Sequence, residues 1–177
     1  MLNLLKGIAA AVAVLCALAA PATAASSRAQ TVAGDPGLEQ GVLAAINDFR
    51  AQHHLAPLRL NRSLSAAADA HSLAMARRGF FAHESADGSA FWKRVRRFYS
   101  DRGFSRWSVG ENLLWSSGTL DAAAALKLWM GSPGHRKNIL TARWREIGLS
   151  ALKVSSAPGV YGGRDVVIIT TDFGVRS

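Results

Sequence analysis

The chain of 177 residues carries 21 Lys and Arg against 12 Asp and Glu, and its formal net charge at pH 7 is +9. This length suits one ordinary domain. Cys16 is the only cysteine, so an intramolecular disulfide is excluded and core packing must hold the fold together.

Residues 1–24 have the pattern of a secretory signal peptide. Lys6 provides a positive start, residues 8–20 are apolar, and Ala22-Thr23-Ala24 is a small-residue cleavage site. A leucine precedes Cys16 where a lipoprotein would carry a small residue, and the apolar run is too short to span a membrane. We therefore expect cleavage near Ala24, a secreted or periplasmic protein, and no transmembrane segment in the mature chain.

Cleavage removes one lysine and no acid, so the net charge of the mature chain falls from +9 to +8. A basic exported protein meets anionic surfaces such as lipopolysaccharide, teichoic acid and acidic glycans. Solubility is the simpler interpretation of the charge. Nucleic acid is not an expected partner outside the cytoplasm.

The mature chain begins with small and polar residues that predict a flexible linker over 25–34, followed by one domain over 35–177. Asp35-Pro36 suits the N-cap and first position of a helix, and the apolar stripe that follows predicts a helix ending near His53-His54. An alanine-rich helix follows over 63–78, with Gly79 as its stop.

The third helix begins near Ser89, and the stretch 93–106 holds six basic residues against the single acid Asp101. Two interpretations remain open. One is a patch for anionic envelope polymers or lipid headgroups, and the other is an amphipathic helix whose aromatic residues lie in the core. We favour the second because the aromatic spacing is helical. The helix divides into an aromatic side with Phe91, Trp92, Val95, Phe98 and Tyr99 and a basic side with Lys93, Arg94, Arg96 and Arg97.

The second half of the chain predicts one helix and three strands. Residues 121–130 are apolar almost all round, which is typical of a helix buried between layers. Strands are predicted over 109–114, 147–154 and 166–173, the last two joined by a Gly- and Pro-bearing connection. Helices together with a short antiparallel sheet indicate an α+β fold.

Three motifs stand in order along the chain. They are Gly79-Phe80-Phe81-Ala82-His83, Gly110-Glu111-Asn112-Leu113, and residues 129–140 with the core Ser132-Pro133-Gly134-His135-Arg136, followed by Glu146-Ile147-Gly148-Leu149. Together they resemble the CAP family of cysteine-rich secretory proteins, insect antigen 5 and plant pathogenesis-related proteins, and the Ser-Pro-Gly-His-Arg form resembles its bacterial branch. The resemblance covers residues 38–173.

The resemblance implies a CAP-type α-β-α sandwich with a cleft lined by two histidines and acidic residues. The matching positions are His83, Glu111 and His135, with Asn112 and Ser132 as further ligand-binding candidates. Many eukaryotic members carry a second Glu three residues after the tryptophan of the last motif. Ser132 takes that place here, so the family's four cleft residues become three.

Two imidazoles and a carboxylate are suitable ligands for Zn²⁺ or another divalent cation, and a bound ion could activate water for hydrolysis. His83, Glu111 and His135 are therefore candidate metal ligands. They lie 28 and 24 residues apart, which is not a local metal motif, so their convergence rests on the resemblance.

Each candidate also has a structural interpretation. His83 could bond its own loop, Glu111-Asn112 could hold backbone groups at a strand start, and His135 could cap a helix. No positioned acid or oxyanion site supports Ser132 and His135 as a nucleophile–base pair. His71 lies on the inner face of the second helix and is expected to be a core residue.

The leading hypothesis is a non-catalytic exported binding module of the bacterial envelope or exterior, whose cleft takes a divalent metal or a small or lipid-like ligand. One alternative is a metal-assisted extracellular hydrolase of peptides, which the missing second Glu disfavours. The other is a basic adaptor for envelope polymers or glycans.

Overall fold

The computed structural model describes residues 29–177. The expected signal peptide, its cleavage site and Cys16 lie outside the described residues. Within them no helix has the length and apolar character needed to cross a membrane. The elements in chain order are β1 Thr31–Gly34, α1 Pro36–Gln52, β2 Arg59–Leu60, α2 Arg62–Arg78, α3 Phe91–Phe98, β3 Trp107–Ser117, α4 Ala122–Met130, α5 Pro133–Ile139, β4 Glu146–Ala157 and β5 Arg164–Arg176.

One sheet with the strand order β1-β4-β5-β3 forms the middle layer. All pairs along this path are antiparallel, and the two-residue β2 adds a parallel pair to β4. Strand β3 therefore lies at one edge of the sheet. The predicted mainly antiparallel sheet is confirmed.

Helices cover both faces of this sheet. Alternate residues of β4 and β5 point to opposite faces, as the period of a strand requires. Ile147 and Ile169 pack on one face with α1, α4 and α5, while Leu152 and Ile168 pack on the other face with α2. A third cluster joins α2 to α3. The architecture is the expected α-β-α sandwich.

The ends of the first two helices follow the predicted local signals. The side chain of Asp35 accepts a hydrogen bond from the backbone N–H of Leu38 at 3.1 Å, as an N-cap does. Gly79 ends α2 in the left-handed conformation with φ 68°. A Cβ at Gly79 would also lie 2.7 Å from the backbone of Pro158 and Gly159, so this position needs glycine for its packing as well.

The prediction of a flexible linker up to residue 34 is wrong for its last four residues, because Thr31–Gly34 form β1 against β4. Side chains support this pairing. The hydroxyls of Thr31 and Ser155 lie 2.8 Å apart, and Lys153 forms an ion pair with Asp35 at 2.8 Å. Small polar residues therefore continue the sheet here where the composition predicted a tether.

The prediction that α4 is buried all round is also wrong. Within this helix Ala125 and Trp129 are buried, whereas Leu128 is 52% exposed. The helix packs against α1, α5 and β3 on one side only, so its opposite face meets solvent. The helix is therefore apolar on its solvent-facing side as well as on its buried side.

Candidate functional site

His83 lies in the loop after α2, where two contacts hold it. The buried His71 on α2 bonds the carbonyl of Ala82 through Nε2 at 2.8 Å and so fixes the residue next to His83. His83 itself bonds Oε1 of Glu111 through Nδ1 at 2.8 Å. The predicted core role of His71 is confirmed, and it positions the loop that carries His83.

Glu111 on β3 is buried, and both of its carboxylate oxygens are engaged. Oε1 meets His83, and Oε2 accepts a hydrogen bond from Nη2 of Arg94 on α3. Arg94 also donates to the backbone oxygen of His83 and to the hydroxyl of Ser85, each at 3.3 Å. One arginine thus neutralises the cleft carboxylate and supports the histidine loop.

The prediction that Arg94 lies on the exposed basic side of the third helix is wrong, because its side chain is 8% exposed. The buried stripe of α3 also contains Val95 and Tyr99. Arg94 stands next to Val95 and one turn after Phe91, so its guanidinium reaches inward to a carboxylate that would otherwise be buried without a counter-charge.

A second acid lies beside Glu111, and the sequence analysis missed it. Asp172 on β5 is the cross-strand partner of Glu111 and is fully buried. Neither of its carboxyl oxygens has a hydrogen-bond partner within standard distance among the described residues. Burial, and then the negative charge of Glu111, raises the pKa of Asp172 well above its usual value, while the charge of Arg94 opposes this shift.

His135 enters from the opposite side of β3, on α5. Asn112 is completely buried and donates through Nδ2 to the backbone oxygen of His135 at 3.1 Å. Asn138 donates in turn to the side-chain oxygen of Asn112 and to the backbone oxygen of Glu111, both at 2.9 Å. Asn112 therefore lies beneath the cleft and positions α5.

The edge of β3 next to these residues is closed by side chains. Trp129 donates through its indole N–H to the backbone oxygen of Leu113 at 3.1 Å, and Asn138 does the same for Glu111. Gly110 permits the approach, since a Cβ there would lie 3.0 Å from the Trp144 ring and 3.1 Å from the Asn138 side chain. The glycine of the second motif thus lets the third motif dock.

The pKa values of the three histidines near the cleft are shifted in different directions. The hydrogen bond to Glu111 raises the pKa of His83 despite partial burial. Burial lowers the pKa of His135, and the nearby His83 lowers it further. Burial likewise lowers the pKa of His71. The cleft therefore combines one imidazole that favours its proton with one that favours the neutral form.

The proposed metal ligands do not fit a resident divalent ion. Among residues 29–177 no group of three or more His, Cys, Asp or Glu side chains is placed to hold a metal. His83 and Glu111 meet directly, while His135 is linked to them by its electrostatic interaction with His83. The carboxylate also has a cation already, because Arg94 occupies Oε2.

Ser132 occupies the N-cap position of α5, half buried, and its side chain makes no capping hydrogen bond. Its place immediately before Pro133 is typical of a Ser-Pro helix start. His53 and His54 are exposed at the end of α1.

The aromatic side of α3 is only partly in the core. Tyr99 and Val95 are buried, but Trp92, Phe98 and Phe104 are 39%, 40% and 41% exposed. The preferred interpretation, in which these aromatic residues are core, is therefore wrong for these three. Exposed rings stand among cations on this surface.

The three-layer α-β-α sandwich is the architecture of a CAP domain. The model of the cysteine-rich secretory protein family, CAP, matches residues 43–169, so the chain belongs to this family. The expectation drawn from the three motifs is confirmed.

Individual relatives are bacterial. The YkwD protein of Bacillus subtilis is 32% identical over 139 residues, which cover 77% of this chain and 52% of YkwD. An extracellular SCP-domain protein of Bacillus anthracis is 28% identical with a TM-score of 0.60, over 78% of this chain and 40% of that one. An outer surface protein of Borrelia burgdorferi shares the fold at 17% identity, with a TM-score of 0.62 over 83% of this chain and 100% of that one. The chain thus spans about half the length of YkwD.

The sequence analysis missed the roles of two residues in this network. Arg94 leaves no signal, because its neighbours Lys93, Arg96 and Arg97 predict a basic side that faces solvent. Asp172 does leave one, because it falls within the predicted strand 166–173, and an acid inside a buried strand indicates a partner or a raised pKa.

Proposed function

We propose that this chain is an exported, non-catalytic binding module whose cleft at His83, Glu111 and His135 takes a small or lipid-like ligand. The observation that carries the proposal is the state of His83. Its side chain is 47% exposed, while its Nδ1 is held by a carboxylate that is itself fully buried. An imidazole fixed at one nitrogen and open to solvent is a preorganised hydrogen-bonding group.

The chemistry of the acids favours binding over hydrolysis. A general base must reach its substrate. A metal ion that activates water needs protein ligands that are not already engaged by other groups. Glu111 is buried and doubly engaged, and Asp172 has no exposed surface. Glu111 instead holds His83 through its Nδ1.

Export is part of the proposal. The pattern of residues 1–24 supports cleavage near Ala24, and the B. anthracis and B. burgdorferi proteins of similar fold are described as extracellular and outer-surface proteins. N-terminal sequencing of protein recovered from the periplasm or medium should find Ala25 at or near the start. Recovery of intact Met1 there would contradict the signal peptide.

Native mass spectrometry of the exported protein tests the cleft directly. We expect a co-purifying small molecule on the wild type that is lost in His83→Asn and in His135→Asn. The matched control is His53→Asn with His54→Asn, because these two exposed histidines should leave the adduct in place. An adduct that survives in every variant would move the ligand away from the cleft.

Calorimetric titration with Zn²⁺ covers the metal alternative. Because both oxygens of the Glu111 carboxylate are already engaged, we expect weak binding of Zn²⁺ or none. Binding near neutral pH that both cleft substitutions abolish and the control pair retains would instead favour a metal function for this cleft. Binding lost only in the control pair would place the metal at His53 and His54.

A further inference from the structure

A cavity of about 520 Å³ lies where β3 begins and β5 ends. The backbones of Arg106 and Ser177 exchange two hydrogen bonds there, at 2.9 and 3.1 Å. The cavity is distinctive because four of its seven lining residues are arginines and none is an acid. Its lining consists of Arg106, Ser108, Arg143, Arg145, Val175, Arg176 and Ser177.

Arg176 is held in place by two aromatic rings and a carbonyl. Its guanidinium carbon lies 4.1 Å from the centroid of Tyr99 and 4.8 Å from that of Phe104. Its Nη1 donates to the backbone oxygen of Ser100 at 3.1 Å. Stacking uses the flat face of a guanidinium and leaves the N–H groups at its rim available for an anion.

Two further arginines are oriented by local contacts on the segment before β4. Arg143 lies over the Trp144 ring, with 4.7 Å from its guanidinium carbon to the ring centroid. Arg145 donates through Nη1 to the backbone oxygens of Ala142 and Trp144 at 2.7 and 2.9 Å. Three of the four guanidinium groups are therefore oriented before any ligand arrives, which lowers the entropic cost of binding.

The lining of this cavity differs from that of two others on the described surface. A cavity of about 480 Å³ contains Asp35 together with Lys153, and one of about 440 Å³ contains Asp101 together with Arg96 and three further cations. Each of those acids forms an ion pair with the cation named beside it. The arginine cavity has no acidic side chain in its lining, and all of its cations are arginines.

We propose that this cavity binds a phosphate-bearing anion. Guanidinium groups bind phosphate oxygens through paired N–H donors, so several arginines facing one space favour phosphate over a monovalent ion such as chloride. The phosphate could belong to a lipid headgroup or to a free phosphate compound. The site shares no residue with the His83 cleft, so it stands or falls independently of the proposed function.

Calorimetric titration of the exported protein with inorganic pyrophosphate, at constant ionic strength set with chloride, tests the site. We expect saturable binding that R143Q with R145Q weakens at least tenfold. The matched control is R77Q with R78Q, which removes the same charge from exposed positions at the end of α2 and should leave binding unchanged. R106Q, a single exposed substitution, should weaken binding even if the double variant folds poorly, which a thermal melt would reveal.

Sedimentation with vesicles identifies the source of the phosphate. If the ligand is a headgroup, wild type should bind phosphatidylglycerol vesicles and R143Q with R145Q should not, while phosphatidylcholine vesicles bind neither. Equal vesicle binding by both, together with the tenfold loss for pyrophosphate, would identify a free phosphate compound. Absence of pyrophosphate binding by wild type, or equal weakening in both double variants, would overturn the proposal.

Discussion

Substitution of Arg94 by methionine tests whether the cleft depends on its buried ion pair. The guanidinium and the Glu111 carboxylate are 8% and 0% exposed, so water cannot replace the lost partner. Removing one member of such a pair leaves a buried charge without compensation, at a cost of about 3–5 kcal/mol. His83 remains bonded to the other oxygen and moderates the loss, so we expect a value near the lower end.

Urea denaturation followed by tryptophan fluorescence measures this cost. The control is R97M, an exposed arginine on the same helix, for which we expect a change within about 0.5 kcal/mol. The double variant R94M with E111L should be more stable than R94M alone, because it removes the uncompensated charge as well. If R94M costs as little as R97M, the carboxylate is not held as described and the network has no structural role.

The other predictions concern the core and the titrating groups. W129A should lower the free energy of unfolding by about 3–5 kcal/mol, and W92A by clearly less, in the same urea assay, because Trp129 is buried and Trp92 is 39% exposed. D172N should be more stable than wild type at neutral pH, by about 1.4 kcal/mol for each unit by which the pKa is raised. The stability advantage of D172N over wild type should grow as the pH rises above 3.8, the pKa of the aspartate in the unfolded chain. The reason is that wild-type Asp172 keeps its proton in the folded state after the unfolded state has released it. A lower stability of D172N than of wild type would contradict the raised pKa. NMR titration should find His83 above and His135 below the ordinary histidine pKa of 6.5. The stabilisation from protonated His83 is fully present below pH 6.5 and is lost as the pH rises through the raised pKa of His83. H83N should therefore lower the free energy of unfolding more at about pH 5.5 than at about pH 8.5. The reverse order would refute the assignment.

Local signals predicted most of the fold because they act over a few residues. Asp35, Pro36 and Gly79 determine helix ends by capping and backbone conformation, and the structure places those ends within two residues of the prediction. The strands are longer than predicted, at 11, 12 and 13 residues. Several of the added end residues are polar, such as Ser117, Arg164 and Arg176, and pairing with the neighbouring strands extends to them.

Burial was harder to predict because it depends on what lies opposite each face. The fourth helix has an apolar composition, but only one of its faces meets the sheet, and Leu128 points to solvent. The burial of Arg94 could not be predicted for the same reason. A basic residue on a surface helix ordinarily faces water, and only the position of Glu111 across the gap shows why this one does not.

The residue motifs named His83, Glu111 and His135, and the charges around these side chains decide what they can do. The family resemblance directed attention to Ser132 as the place where a second acid is missing. In the structure a second carboxyl group does approach Glu111, from Asp172 on β5, and it is buried where the neutral form is favoured. The guanidinium of Arg94 forms an ion pair with the Glu111 carboxylate. Because Arg94 and His83 occupy both oxygens of Glu111, a divalent ion would have to displace one of them to reach this carboxylate.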